Sequence, residues 1–101
     1  MLSQIRIYTI NKGEMDAFLK HFKEEIMPVH QRIGVPIVAT WVNRSQNEFI
    51  WIRTYSDKAD LEAKGKAFQA EIAKSGIKLG VNVAKMEIRE AEAAFAPAAK
   101  S

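Results

Sequence analysis

The sequence predicts one α+β domain in which two helices cover one face of a four-stranded antiparallel sheet. The length of 101 residues suits a single domain. Segments rich in β-branched and aromatic residues alternate with two segments of helical periodicity, in the order strand–helix–strand–strand–helix–strand. Because crossover connections have a fixed hand, this order predicts the ferredoxin-like βαββαβ sandwich. We expect the domain to span residues 1–92, and residues 93–101 to form a tail rich in alanine with one proline.

The first half of the chain predicts a strand over Leu2–Ile10 and a helix over residues 14–33, joined by the turn Asn11-Lys12-Gly13. Apolar residues recur every three or four positions along the helix, at Met15, Phe18, Leu19, Phe22, Ile26, Val29 and Ile33. Pro28 lacks a backbone donor and clashes with the carbonyl four residues back, so we expect a kink or break there. The helix should end at Gly34.

The second half predicts a strand over residues 36–43, a tight turn, and a strand over Glu48–Tyr55. Ser56 and Asp57 can cap a second helix that ends near Gly76, and a last strand should cover residues 81–91. Gly65 lies inside this helix, where glycine costs about 1 kcal/mol relative to alanine. We expect it to allow a close approach of the helix backbone to the sheet.

Strand alternation sorts the sheet residues into two faces. The aliphatic set, which we expect to pack under the helices, is Ile5, Ile7, Val38, Val42, Ile50, Ile52, Ala84, Met86 and Ile88. The other set, which we expect to be left uncovered, is Arg6, Tyr8, Ile37, Trp41, Phe49, Trp51, Arg53, Tyr55, Val83, Lys85, Glu87 and Arg89.

An uncovered face with five aromatic residues exceeds the apolar patch that a monomer usually exposes. The favoured interpretation is that a second copy of the chain covers this face, sheet against sheet. A second is stacking on unpaired nucleotides, although the stretch NEFIWIRTY lacks the glycines of the corresponding RNA-recognition motif. A third is that a terminal segment of the same chain folds over it.

Composition excludes several classes of function. The chain has no cysteine, which removes disulfides, thiolate nucleophiles and cysteine-ligated metal sites and fits a cytoplasmic location. The net charge of +3 comes without any block of five like charges, so charge alone does not indicate nucleic-acid binding. We expect no signal peptide and no membrane span. Two histidines nine residues apart cannot share a helical face, so no metal site is expected.

The candidate site residues are His30, Arg6, Tyr8, Trp41, Trp51 and Arg53. His30 is a candidate general base or polar anchor between helix and sheet, although a boundary histidine bonded to a neighbour is the favoured interpretation. Arg6 and Arg53 lie on neighbouring strands and could clamp a carboxylate or an enolate. The alternative for both arginines is ion pairing with Glu87 or Glu48, or stacking on the two tryptophans.

Four stretches together resemble the NIPSNAP family. The strand, turn and helix in QIRIYTINKGEMDAFLKHF are followed by IMPVHQRIG, by PIVATWVN with its tryptophan, and by FIWIRTYSDKADLEAKGKAF, and they cover about residues 4 to 90. The resemblance implies a dimeric α+β barrel, in a superfamily that includes cofactor-independent monooxygenases, muconolactone isomerases, haem-degrading enzymes and stress-responsive proteins. The haem-degrading members have an asparagine on the first strand, whereas this strand offers Arg6 and Tyr8 instead. We therefore expect no haem and no other cofactor.

These inferences predict a cytoplasmic homodimer that binds a small acidic or aromatic organic molecule. A cofactor-independent oxygenase or isomerase is the activity that the superfamily allows for such a protein, although family membership sets the fold better than the function. The first alternative is a non-enzymatic interaction or regulatory module, and the second is an RNA-binding domain.

Overall fold

A computed structural model of the chain describes residues 1–95, and residues 96–101 of the predicted tail lie outside the described residues. The strands are β1 (Leu2–Ile10), β2 (Ile37–Asn43), β3 (Glu48–Tyr55) and β4 (Val83–Glu92). The helices are α1 (Met15–His21), α2 (Met27–Ile33) and α3 (Lys58–Ser75), with a five-residue π-helical segment, Phe22–Ile26, between α1 and α2. No helix within residues 1–95 has the length and apolar character needed to cross a membrane.

The four strands form one antiparallel sheet in the order β2-β3-β1-β4, which confirms the predicted ferredoxin-like architecture. β1 and β3 are the central strands, and their register places Arg6 opposite Trp51 and Gln4 opposite Arg53. Cross-strand partners of an antiparallel pair point to the same side of the sheet. The register therefore brings both arginines, through two adjacent strands, to one face.

Pro28 is accommodated by a change of helix type rather than by a break. The Met27 N–H donates to the Phe22 carbonyl, five residues back, which closes the π-helical segment just before the proline. Pro28 then occupies the first turn of α2, where its missing donor is tolerated. The helix ends at Gly34, whose φ of 75° is the left-handed conformation that favours glycine.

The prediction of which face the central strands bury is wrong. The apolar residues of α1, the π-helical segment and α2, called the α1–α2 stripe below, pack on Tyr8, Phe49 and Trp51. Ile5, Ile7, Ile50 and Ile52 lie on the opposite face of the sheet. The buried core of this layer consists of Tyr8, Ile10, Met15, Phe18, Phe22, Ile26, Phe49 and Trp51. Each aromatic ring buries more area than an aliphatic side chain, so the larger hydrophobic gain comes from placing the rings under the helices.

The edge strands follow the predicted orientation only in part. Val42, Met86 and Ile88 lie on the helix side as expected, but so do Ile37 and Val83, which we expected on the uncovered face. Trp41 pairs with Ile50, and Thr40 pairs with Trp51, so Trp41 lies on the side of the sheet away from the helices. The prediction that Trp41 and Trp51 share a face is therefore wrong. The side away from the helices is called the open sheet face below, and its apolar members are Ile5, Ile7, Ala39, Trp41, Ile50 and Ile52.

α3 begins at an N-cap where Asp57 Oδ1 accepts a hydrogen bond of 2.8 Å from the Asp60 N–H, as predicted. No residue of α3 is fully buried, although Phe68 and Ile72 are half-buried on its inner side. α3 therefore lies less tightly on the sheet than α1 and α2 do, which leaves space beneath it.

Candidate functional site

A cavity of about 220 Å³ lies between the helices and the helix-covered face of the sheet. Its floor includes Arg6 and Tyr8 of β1 and Trp51, Arg53 and Tyr55 of β3. The α1–α2 stripe closes one side, and α3 contributes Gly65, Phe68 and Gln69. The cavity is thus built from aromatic walls with two guanidinium groups among them, a combination typical of small-molecule sites.

Arg6 and Arg53 meet at one shared acceptor. Gln4 Oε1 accepts a hydrogen bond of 2.8 Å from Arg6 Nη1 and another of 2.8 Å from Arg53 Nε. Gln4 is 7% exposed, so the contact between these groups is screened from solvent. Arg6 Nε also donates to the Tyr8 hydroxyl at 2.8 Å. Two cations are therefore held side by side by neutral acceptors.

No carboxylate within residues 1–95 forms an ion pair with Arg6 or Arg53. The alternative that these arginines pair with Glu87 or Glu48 is therefore wrong. Surface arginines of the same chain do find carboxylates, as Arg32 does with Glu71 at 2.7 Å. An arginine carries five N–H donors, and the two arginines use only part of theirs on protein acceptors.

The guanidinium groups stack on the aromatic walls instead. The Arg6 and Arg53 guanidinium carbons lie 5.6 Å and 5.2 Å from the centre of the Trp51 ring, within the range of cation–π contact. Arg53 also lies 5.6 Å from the Phe68 ring of α3. The stacking alternative is thus observed, within one chain and on Trp51. Burial and repulsion from Arg6 lower the pKa of Arg53.

His30 lies behind Arg53 and is not part of the cavity wall. It is 1% exposed, and its Nδ1 is 2.9 Å from the Ile26 carbonyl oxygen while its Nε2 is 2.9 Å from Arg53 Nη1. The carbonyl accepts and the guanidinium donates, so the ring carries its proton on Nδ1 and is neutral. The pKa of His30 is lowered to about 4, mainly by burial; the hydrogen bond to the Ile26 carbonyl opposes this shift, and the charges of Arg53 and Arg6 add to it.

Trp51 has a buried donor without a partner among residues 1–95. Its Nε1–H is buried and has no hydrogen-bond acceptor within the described part of the chain. Such groups are rare in folded proteins, because an unpaired buried donor costs about 1–3 kcal/mol. Trp51 is held rigidly, with edge-on contacts to Tyr8, Phe22 and His30 at centroid distances of 6.0, 5.0 and 5.3 Å.

The structure brings together four of the six candidate site residues at the cavity, Arg6, Tyr8, Trp51 and Arg53. His30 supports Arg53 from behind, and Trp41 lies on the other face of the sheet, 51% exposed. Sequence reasoning missed Gln4, Tyr55 and Phe68. Strand alternation could have identified Gln4 as a site residue, because it lies two residues before Arg6 and so shares its face of the strand. Burial raises the pKa of the Tyr55 hydroxyl, which keeps this group neutral beside Arg53.

A family model for NIPSNAP matches residues 3–94 of the chain, which is nearly the whole domain. The chain belongs to the NIPSNAP family. This confirms the resemblance drawn from the four sequence stretches. No curated protein matches the NIPSNAP chain significantly.

Solved structures similar to this NIPSNAP chain share its fold. An uncharacterized NIPSNAP domain protein from Burkholderia xenovorans has a TM-score of 0.84 at 22% identity, with 96% of this chain and 99% of that chain covered. A putative antibiotic biosynthesis monooxygenase from Nitrosomonas europaea has a TM-score of 0.65 at 11% identity, covering 94% and 100%. A dimeric ferredoxin-like protein from an uncultured marine organism has a TM-score of 0.66 at 14% identity, covering 94% and 94%.

Proposed function

We propose that this NIPSNAP protein is a homodimer that binds a small organic acid in the cavity between its helices and its sheet. In this proposal Arg6 and Arg53 bind the carboxylate of the ligand, and the aromatic walls hold its apolar part. One observation carries the proposal. Two neighbouring guanidinium groups share the Gln4 oxygen, and no carboxylate of residues 1–95 pairs with either of them.

Electrostatics favours an anionic ligand at this position. Burial lowers the pKa of Arg53, and repulsion from the neighbouring Arg6 lowers it further, so both effects disfavour two uncompensated cations here. The neighbouring acceptors Gln4, Tyr8 and His30 are neutral, so none of them cancels this charge. A carboxylate would remove the repulsion and accept charge-assisted hydrogen bonds from the remaining N–H groups.

The volume and lining of the cavity set the class of acid. A volume of about 220 Å³ is below the range of roughly 300–1,000 Å³ that drug-sized ligands occupy. Phe18, Phe22 and Phe68 face this space with apolar surface. A compact acid with an aromatic or short aliphatic body fits both conditions better than a sugar or a nucleotide does.

An isomerase or cofactor-independent oxygenase activity is the second candidate function. Paired arginines can stabilise the negative charge of an enolate as well as a carboxylate. Tyr8 accepts a hydrogen bond from Arg6 through its hydroxyl oxygen, which leaves its own proton free to be donated. His30 cannot serve as the base in this arrangement, because its only lone pair on Nε2 is bonded to Arg53. Binding is therefore the better supported function, and a non-enzymatic sensor of an organic acid satisfies the same geometry.

The open sheet face supports the homodimer in the proposal. It carries four isoleucines together with Trp41, which is 51% exposed in a single chain. An apolar sheet face without a covering layer is a strong driving force for association. The likeness to a dimeric ferredoxin-like protein adds support from the fold. A second copy placed on this face would leave the cavity accessible, because the cavity lies on the other side of the sheet.

A matched pair of probes tests the binding proposal. Phenylacetate and phenylacetamide have nearly the same size and shape, but only the first carries a charge. We expect calorimetry at low ionic strength to detect phenylacetate binding and no phenylacetamide binding. Arg6→Gln and Arg53→Gln should each weaken phenylacetate at least about tenfold, which corresponds to about 1.4 kcal/mol.

Arg44→Gln is the matched control, because Arg44 is an exposed arginine that pairs with Asp16 far from the cavity. It should bind phenylacetate as the wild type does. Equal affinity of the wild type for the acid and the amide, or equal losses in all three arginine variants, would overturn the proposal. Circular dichroism confirms that each variant is folded before its affinity is interpreted.

A further inference from the structure

Gly65 interrupts the inner side of α3 at a position that lines the cavity. Leu61, Gly65, Phe68 and Ile72 follow the spacing of one helical face. Leu61, Phe68 and Ile72 are half-buried, and Gly65 lines the cavity together with Phe68. At this point the helix presents backbone alone to the space above the two arginines.

The backbone of α3 does not require glycine at this position. Gly65 lies in the interior of an α-helix, whereas Gly13, Gly34, Gly76 and Gly80 have the positive φ angles that favour glycine. Apart from proline, glycine is the least favourable residue in a helix interior. Helix stability therefore favours almost any other residue here.

Packing does not require glycine either. We expected Gly65 to permit close contact between α3 and the sheet, and this expectation is wrong. A Cβ added at Gly65 would meet no heavy atom within 4 Å. At Gly34, by comparison, an added Cβ would lie 3.8 Å from Lys64 Nζ. Gly65 is exposed, so a larger residue at position 65 would enter open space without a clash at its Cβ.

We propose that Gly65 is a specificity-determining residue that keeps the α3 side of the cavity open for the apolar part of the ligand. This inference rests on the proposed binding of an organic acid. The cost of glycine in helix stability, with no packing or backbone reason to offset it, is then explained by one function. The proposal names the ligand class more closely, as acids whose apolar body is large enough to extend from the arginines to α3. Acids with one or two carbons beyond the carboxylate would not reach Gly65.

A size series of acids tests this assignment in the full chain. Acetate, butyrate and phenylacetate would be titrated into the wild type, Gly65→Ala, Gly65→Leu and the control Ala70→Leu. Ala70 is an exposed residue of α3 that does not line the cavity. We expect Gly65→Leu to weaken phenylacetate at least about tenfold while changing acetate by no more than about twofold. Ala70→Leu should leave all three affinities unchanged.

The variants also separate a loss of space from a loss of fold. Gly65→Ala should raise the melting temperature by a few degrees and weaken phenylacetate less than Gly65→Leu does. Unchanged phenylacetate affinity in Gly65→Leu, while Arg53→Gln abolishes it, would overturn the role of Gly65 and leave the proposed function intact. A uniform loss of all three acids in a folded Gly65→Leu would likewise overturn it. Failure of every acid to bind the wild type would instead reject the binding function itself.

Discussion

Arg53 donates a hydrogen bond from Nη1 to Nε2 of His30 over 2.9 Å. The bond requires an uncharged histidine whose second nitrogen, Nδ1, carries the proton and donates a hydrogen bond to the Ile26 carbonyl. His30 thus fixes the position of the guanidinium from behind, while Gln4 fixes it from the side. We assign His30 a positioning role and expect its effects to pass through Arg53.

The stability of the protein should fall as the pH decreases through the titration range of His30. The pKa of this residue is about 4 in the folded chain and 6.5 in its ordinary state, so the unfolded chain binds the proton more readily. The contribution is complete above pH 6.5 and is lost progressively as the pH falls toward 4. Between pH 7 and pH 4.5 the free energy of unfolding should decrease by about 2 kcal/mol from this group, as urea denaturation would measure.

His30→Gln is the matched variant for this measurement, because glutamine offers an acceptor oxygen to Arg53 but does not titrate. Asp60 and Glu71 also have lowered pKa values from their hydrogen bonds and lose stability in acid, but they do so in both proteins. The difference between the two pH profiles therefore isolates His30. Parallel profiles for the wild type and the variant between pH 7 and pH 4.5 would contradict the prediction.

Gln4→Glu should stabilise the fold and abolish binding of the organic acid. The substitution replaces the shared acceptor by a carboxylate of the same shape, which supplies the negative charge that Arg6 and Arg53 lack. Hydrogen bonds to charged groups are worth about 1.5–3 kcal/mol, so we expect a gain of about 1–2 kcal/mol in the free energy of unfolding at pH 7. Calorimetry should show at least about a tenfold loss of phenylacetate affinity.

The control for this experiment is Gln31→Glu, which adds the same charge at an exposed position of α2. It should change neither stability nor affinity by a measurable amount. A Gln4→Glu variant that is less stable than the wild type and still binds phenylacetate would show that the two arginines are already balanced.

Alanine substitution of the two tryptophans should affect different properties, the stability of the fold for Trp51 and the association of two chains for Trp41. Trp51 is 2% exposed in the core, so Trp51→Ala should cost about 3–5 kcal/mol in the free energy of unfolding. Trp41 is 51% exposed on the open sheet face, so Trp41→Ala should leave the fold of one chain largely intact and weaken the proposed dimer. Sedimentation velocity over a range of concentrations measures the second effect, and thermal denaturation measures the first.

A wild-type protein that sediments as an 11.4 kDa monomer at high concentration would reject the dimer. Val81→Ala is a useful control for Trp41→Ala, since Val81 is also exposed but lies in the connection before β4. It should have no effect on association.

Much of the fold was readable from local patterns. The bounds of β1 and β3, the cap at Asp57, the end of α2 at Gly34 and the order of the elements agree with the predictions. These features depend on residues close together in the chain, such as an alternating run or a glycine after a helical stripe. At Pro28 the predicted interruption takes the form of a π-helical segment, followed by the expected short helix that ends at Gly34.

The site was predicted only in part, because its assembly depends on which way two strands face. Arg6, Tyr8, Trp51 and Arg53 were grouped correctly by the alternation of β1 and β3. Arginines on the aromatic side suggested that this side meets a partner or water. In the structure the rings are buried by the helices, and the guanidinium groups stack on Trp51 inside the cavity.

The sequence by itself determined the elements, their order and the two sets of side chains that each central strand presents, because these follow from periodicity along the backbone. Only the tertiary structure decided which set the helices cover, since that choice is a competition between burying rings and hydrating charges over the whole sheet. It also decided that Gln4 joins Arg6 to Arg53 and that His30 supports Arg53. Those contacts join residues up to 49 positions apart, and no pattern within one segment encodes them.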